Sequence, residues 1–112
     1  MPNANITILI GHVTRDPELK YLPSGLAVVD FGLAVNSGSK EKQDTLFMDC
    51  QAFDKLAETI HKYVKKGNAV YVQGRLKQDN WDDKTTGAKR SKIKLVVNQI
   101  QFLSKPTETQ ER

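Results

Sequence analysis

Apolar and polar positions alternate with a period of two along most of this chain, which predicts strands. The longest run is Asn68 to Trp81, where Val70, Val72 and Leu76 point one way. Tyr71, Gln73, Arg75, Lys77 and Trp81 point the other. At about 3.3 Å per residue this run would reach about 45 Å, well beyond the usual strand of about six residues. So long a strand must curl, and Gly74 at its middle lets it bend. Asn5 to Val13 reads as a first strand containing Gly11, and Thr14-Arg15-Asp16-Pro17 ends it because proline has no ladder donor. Glu18 to Leu22 is a short extended piece, and Pro23-Ser24-Gly25 is a turn. Leu26 to Asn36 is the second strand, with Ala27, Val29, Phe31, Leu33 and Val35 on one face and Gly32 inside it. A polar hairpin loop follows at Ser37 to Asp44.

Thr45 to Phe53 is the third strand, with Leu46, Met48, Cys50 and Ala52 forming an apolar face. Its other face sets Phe47 and Phe53 among Thr45, Asp49 and Gln51. Two readings stand for those rings: they face solvent, or a second layer or subunit covers them. Asp54 is a candidate helix cap, and Lys55 to Lys66 repeats Leu56, Ile60 and Val64 every fourth residue. Lys65 and Lys66 suit the negative end of that helix, and Gly67 suits its left-handed stop. After the long strand, Asp82 to Arg90 is a basic hairpin loop. Ser91 to Leu103 is the last strand, its alternation slipping near Asn98 as at a bulge. Three strands, one helix and two strands, with a glycine inside three of the strands, predict an all-β, strongly coiled sheet. The expected architecture is a five-stranded curled barrel with one helix between strands 3 and 4, the OB-fold. One domain is expected over residues 1–105, and residues 106–112 form a short polar end expected to fray.

Composition refines this picture modestly. The 112 residues carry a net charge of +4 and 38% hydrophobic residues, enough for one small core and mildly favouring a polyanionic partner. The excess positive charge lies between Lys55 and Lys94. A single cysteine, Cys50, excludes an intrachain disulfide and fits a reducing, cytoplasmic setting. No apolar run approaches a membrane span, and the N-terminus lacks the apolar core of a signal peptide.

The chemistry of catalysis is absent from the pattern. His12 and His61 stand at no metal-ligand spacing with Cys50, and Cys50 alternates with Met48 and Ala52 as a core residue. Asp82-Asp83 are adjacent carboxylates in a loop, and no phosphate-cradling or nucleophile-elbow signature occurs. No enzyme, metal or cofactor is called for. What remains is a binding constellation. Phe47, Phe53, Trp81 and Tyr71 offer flat rings, and base–aromatic stacking contributes about 1–3 kcal/mol per base whatever the sequence. Lys55, Lys66, Arg75, Lys77, Lys84, Lys89 and Arg90 are candidates to follow a phosphate backbone, although each alone reads equally well as a solvated side chain. Paired bases hide their faces, so a single strand is the natural ligand.

Four stretches now identify a family. They are Leu9 to Tyr21, Pro23-Ser24-Gly25 with Val29 to Asn36, Phe53 to Glu58, and Lys66 to Leu76. In this order the chain resembles the bacterial single-stranded DNA-binding protein family from about Asn5 to Leu103. The resemblance implies an OB-fold, a homotetramer, and single-stranded DNA wrapped without sequence preference during replication, recombination and repair. It carries the family's stacking positions onto Phe47, Phe53 and Trp81, and its phosphate contacts onto Lys55, Lys66 and Lys77. It implies pairing of first strands between subunits, with Ile6, Ile8, Ile10 and His12 at that interface. Two departures stand out. The loop Ser37-Gly38-Ser39 lacks a tryptophan found in many members, and the chain ends at Arg112 without the linker and acidic tail that recruit repair proteins. Alternative readings are a primosome-type accessory protein of the same fold, which is usually dimeric, or an RNA-binding OB module.

Overall fold

The computed structural model describes residues 3–39 and 41–103. Six strands and one helix follow in the order β1 (Thr7–Val13), β2 (Glu18–Tyr21), β3 (Ala27–Gly38), β4 (Gln43–Phe53), α1 (Asp54–Tyr63), β5 (Ala69–Asp82) and β6 (Lys89–Phe102). The sheet runs β1-β5-β6-β4-β3-β2, and β1 also pairs with β3, so five strands close into a barrel with β2 attached outside β3. The short extended piece is thus a real edge strand, and the five long strands are the expected barrel. The helix lies between the third and fourth of those five. The polar end at residues 106–112 lies outside the described residues.

Alternation decides the interior. Val29, Phe31 and Leu33 of β3 pack with Cys50 and Ala52 of β4, Val70 and Val72 of β5, and Leu95 and Val97 of β6, all buried. The helix closes one end of this core with Ala57, Ile60 and the following Val64. Leu46 departs from the expected apolar face of β4, being 46% exposed. The β3–β4 hairpin continues past the barrel to the pair Gly38–Gln43, so Leu46 sits on a two-stranded arm with no layer beneath it among the described residues. For the same reason the expected polar loop is shorter than its composition suggests.

The long strand bends where glycine permits. Gln73 pairs with Gln99 and Gly74 with Val97, which leaves Asn98 as the extra residue of a bulge. A Cβ on Gly74 would overlap the Val96 carbonyl oxygen, so only glycine allows β6 to pass this close.

The helix differs from its expectation at both ends. Asp54 makes no side-chain cap; Phe53 occupies the cap position in extended conformation, and Asp54 turns the corner at φ 63°. Aspartate is among the few non-glycine residues that adopt this left-handed conformation with modest strain. The helix stops at Tyr63, so Lys65 and Lys66 lie beyond it rather than in its last turn. Their backbone N–H groups donate instead to Asn68 Oδ1 and Asp16 Oδ1, both at 2.8 Å. Gly67 then takes φ 92° and donates to the Val13 carbonyl, which ties the helix exit to the end of β1.

Candidate nucleic-acid interface

The outward face of the barrel can be built from the registers. On β3 and β4, Ala34 pairs with Phe47, Gly32 with Asp49, Asp30 with Gln51, and Val28 with Phe53. Across β6 and β5, Val96 pairs with Arg75, Lys94 with Lys77, Lys92 with Asp79, and Arg90 with Trp81. Strand β6 lies between β4 and β5, so its lysines separate two sets of rings. Phe47 is 72% exposed, Trp81 48% and Phe53 36%. Among the described residues no second layer of the same chain covers Phe47 or Trp81.

Local sequence explains each placement. Phe47 faces the small Ala34 across the strand pair, so nothing on β3 shields its ring. Phe53 ends β4 at the corner made by Asp54, and Lys55 follows it, exposed, in the first turn of α1. Trp81 is near the tip of the β5–β6 hairpin, in an open cleft of about 460 Å³ formed with Asn80, Asp82, Lys89, Arg90 and Ser91.

The basic side chains divide into groups. Arg75 and Lys77 are exposed on β5, and Lys77 Nζ stands 3.8 Å from Asp79. Lys84 and Lys89 are exposed on the hairpin loop and its exit. Arg90 is tied down, its guanidinium 3.2 Å from Asp83. Asp83 organises that turn, accepting from the Thr85 N–H at 2.8 Å and the Thr86 N–H at 3.3 Å. Those two backbone bonds, helped by Arg90, hold the Asp83 carboxyl below its ordinary range. Lys66 lies apart, exposed next to the β1–β2 turn.

Tyr71 is not brought together with the other rings. It is ten residues along β5 from Trp81, paired with Ile10 of β1, half-buried, and donates its hydroxyl to Gln73 Oε1 at 3.0 Å. Ile6, Ile8 and Ile10 are all more than half exposed, and His12 is exposed beyond them. Their strand pairs with β5 along Thr7–His12 but with β3 only at His12 and Val13. Among the described residues, Thr7 to Ile10 therefore have a strand partner on one side alone.

Cys50 offers no reactivity. Burial first, and then the neighbouring Asp49 charge, push its thiol up to about 12, against the opposing pull of Arg15. Among the described residues, no cluster of three or more His, Cys, Asp or Glu could hold a metal ion.

The sequence pattern of the Single-strand binding protein family matches residues 4–103, nearly the whole chain. The chain belongs to that family. A Borreliella burgdorferi single-stranded DNA-binding protein is 40% identical over 113 residues, covering 97% of this chain and 76% of that protein. A Synechocystis single-stranded DNA-binding protein 1 is 38% identical, covering 97% of this chain and 91% of its own. The chain spans 64% of the Helicobacter hepaticus relative, which is 39% identical. Among solved structures, the Plasmodium falciparum SSB complex with ssDNA superposes with a TM-score of 0.84 at 27% identity, covering 93% of this chain and 98% of that one.

Within this family member, sequence reasoning missed three cations on the ring-bearing face: Arg15, Lys92 and Lys94. Lys92 and Lys94 were detectable, since they continue the alternation that begins at Arg90. Arg15 was not, because it belongs to a turn and reaches the face only through the β1–β3 closure, where Thr14 N–H donates to the Gly32 carbonyl.

Proposed function

We propose that this protein binds single-stranded DNA without sequence preference and protects it during replication, recombination and repair. Bases stack on Phe47, Phe53 and Trp81, while the backbone phosphates follow Lys55, Arg75, Lys77, Lys84 and Lys89. Lys66 extends the path past the helix exit, and Arg90 positions the Trp81 hairpin through Asp83. Tyr71 continues the outward face of β5 toward β1. The protein is a binding module, not an enzyme. One observation carries the reading: exposed rings on β4 and β5 flank a lysine-bearing β6 on a single outward face. A ring surface suits unpaired bases, because every base has a π-face and a duplex hides it.

The other exposed region supports assembly. The half-paired edge of β1, with Ile6, Ile8 and Ile10 beside it, fits antiparallel pairing with a second copy about a two-fold axis. A homotetramer would present several binding faces to one long strand. Among the described residues no helix is long and apolar enough to cross a membrane, and the reduced Cys50 fits a cytoplasmic setting.

Trp81 is the only tryptophan, so its emission reports one site. Titration with a long oligothymidine is expected to quench it strongly, and a duplex of equal length far less. Equal quenching by both would remove the stacking interpretation. Salt should weaken binding steeply, with about 0.7 counterions released per neutralised phosphate on a single strand.

A further inference from the structure

The ring-bearing face is not uniformly basic. A groove of about 320 Å³ extends over the face from Asp79 of β5 across β6 and β4 to Asp30 of β3 and Glu18 of β2, and its lining sets Glu18, Asp30, Asp49 and Asp79 against Arg15, Lys92 and Lys94. It has one more carboxylate than cation, in a chain whose net charge is +4. Each central cation is already engaged. Asp49 pairs with Lys92 through one oxygen and with Arg15 at 3.8 Å through the other. Asp79 holds Lys94 at 3.1 Å and Lys77 at 3.8 Å. Asp49 lies between the two β4 rings, two residues from Phe47 and four from Phe53, and Asp79 stands two residues from Trp81 on β5. Any strand joining the β4 rings to the Trp81 ring directly would pass over β6, which carries Lys92 and Lys94.

We propose that Asp49 and Asp79 are built-in competitors of the phosphate backbone, occupying Lys92, Arg15, Lys94 and Lys77 until a bound strand displaces them. This rests on the single-strand binding reading above. A phosphate arriving at Lys92 or Lys94 exchanges one anion for another, and the displaced carboxylate stays nearby as a like charge. The lysines therefore add less to affinity than free lysines would, and the strand remains exchangeable between rings. Of the six ion-paired side chains in these two clusters, the five other than Lys94 are 37–61% exposed, which makes exchange with solvent-borne phosphate feasible.

The test is oligothymidine titration of the full chain over a salt series, following Trp81, with Asp49→Asn, Asp79→Asn and the double variant. Each single substitution should tighten binding by about two- to fivefold, the scale of one exposed ion pair. The fall of log affinity with log salt should steepen by about 0.7 for each cation released to a phosphate. Lys92→Met should weaken the Asp49→Asn protein more than it weakens the wild type, because only there does the strand gain Lys92 without first displacing a carboxylate. Glu58→Gln, on the exposed side of α1, controls for the change in net charge and should not steepen the salt dependence.

Asparagine variants that melt like the wild type yet bind no tighter, with an unchanged salt slope, overturn the proposal. So does an equal gain from Glu58→Gln. If Asp49→Asn lowers the melting temperature, Asp79→Asn on its separate strand and the Lys92→Met comparison carry the decision. A wild type that shows no salt-sensitive quenching overturns the underlying binding reading instead, so the two failures are distinguishable.

Discussion

Two regions of this barrel expose large apolar side chains, and they differ in what surrounds them. On the β4–β6–β5 face each ring has charged neighbours: Asp49 beside Phe47, Lys55 near Phe53, Arg90 opposite Trp81. On β1 the isoleucines stand together, with Thr7 and Leu9 between them and no charged residue from Ile6 to Gly11. The difference points to two kinds of ligand. Flat rings among charges suit a polyanion with stackable faces. Aliphatic side chains beside a half-unpaired strand edge suit another protein surface, which can take up both backbone and methyl groups.

The contrast is broken most directly at β1. Ile8→Lys should split the assembly at micromolar concentration in sedimentation, or unfold the chain. Affinity for a long oligonucleotide should then fall by about two orders of magnitude or more, since linked sites gain 10²–10⁴ from effective concentration. Affinity for an oligonucleotide short enough for one face should change little. A folded monomer that still binds the long strand tightly would mean that linked sites contribute nothing to its affinity.

On the other region the effects are smaller and fall on affinity. Phe47→Ala and Phe53→Ala should each weaken binding by about 1–3 kcal/mol, read by fluorescence titration. Phe47→Ala should leave the melting temperature nearly unchanged. Phe31→Ala, by contrast, empties the core and should cost about 3–5 kcal/mol of stability. If Phe53→Ala instead melts markedly lower with unchanged affinity, that ring belongs with the core. Tyr71→Ala sharpens the boundary: paired with Ile10, it should disturb assembly more than short-strand binding.

The smallest expected effect concerns the hairpin. Asp83 has a folded-state pKa below its ordinary value of 3.8, so its turn is fully supported above that pH. The support is lost as pH falls from there through the lowered value. The protection factors of the Thr85 and Thr86 amides, their exchange rates relative to the intrinsic rates at each pH, should therefore fall in acid more than those in β5. A uniform fall would mean that the turn does not open by itself.

Much of this was legible in the chain, for a physical reason. A period of two forces one side of a strand inward, so the interior positions of β3, β5 and β6 follow from the pattern alone. The slip at Asn98 announced the bulge because an extra residue must break that period. Three things were hidden. Leu46 reads as core, but whether a layer lies beneath it depends on how far the β3–β4 arm projects. Lys65 and Lys66 read as helical, but Asn68 and Asp16 capture their N–H groups, and Asp16 is fifty residues away from Lys66. The ion pairs of Asp49 join a turn, β4 and β6, a juxtaposition that barrel closure alone creates.

The buried thiol gives the molecule a second, independent reporter. With Cys50 pushed up to about 12 and 1% exposed, its thiolate is scarce at neutral pH and out of reach of reagents. Alkylation must then wait for the barrel to open, so its rate counts unfolding events. The indole of Trp81, on the outside of the same sheet, counts ligand instead. A chain with one sulfhydryl inside and one indole outside allows binding and opening to be timed separately in a single unlabelled sample. A strand that stabilises the folded barrel should slow alkylation by the same factor that its affinity and concentration dictate.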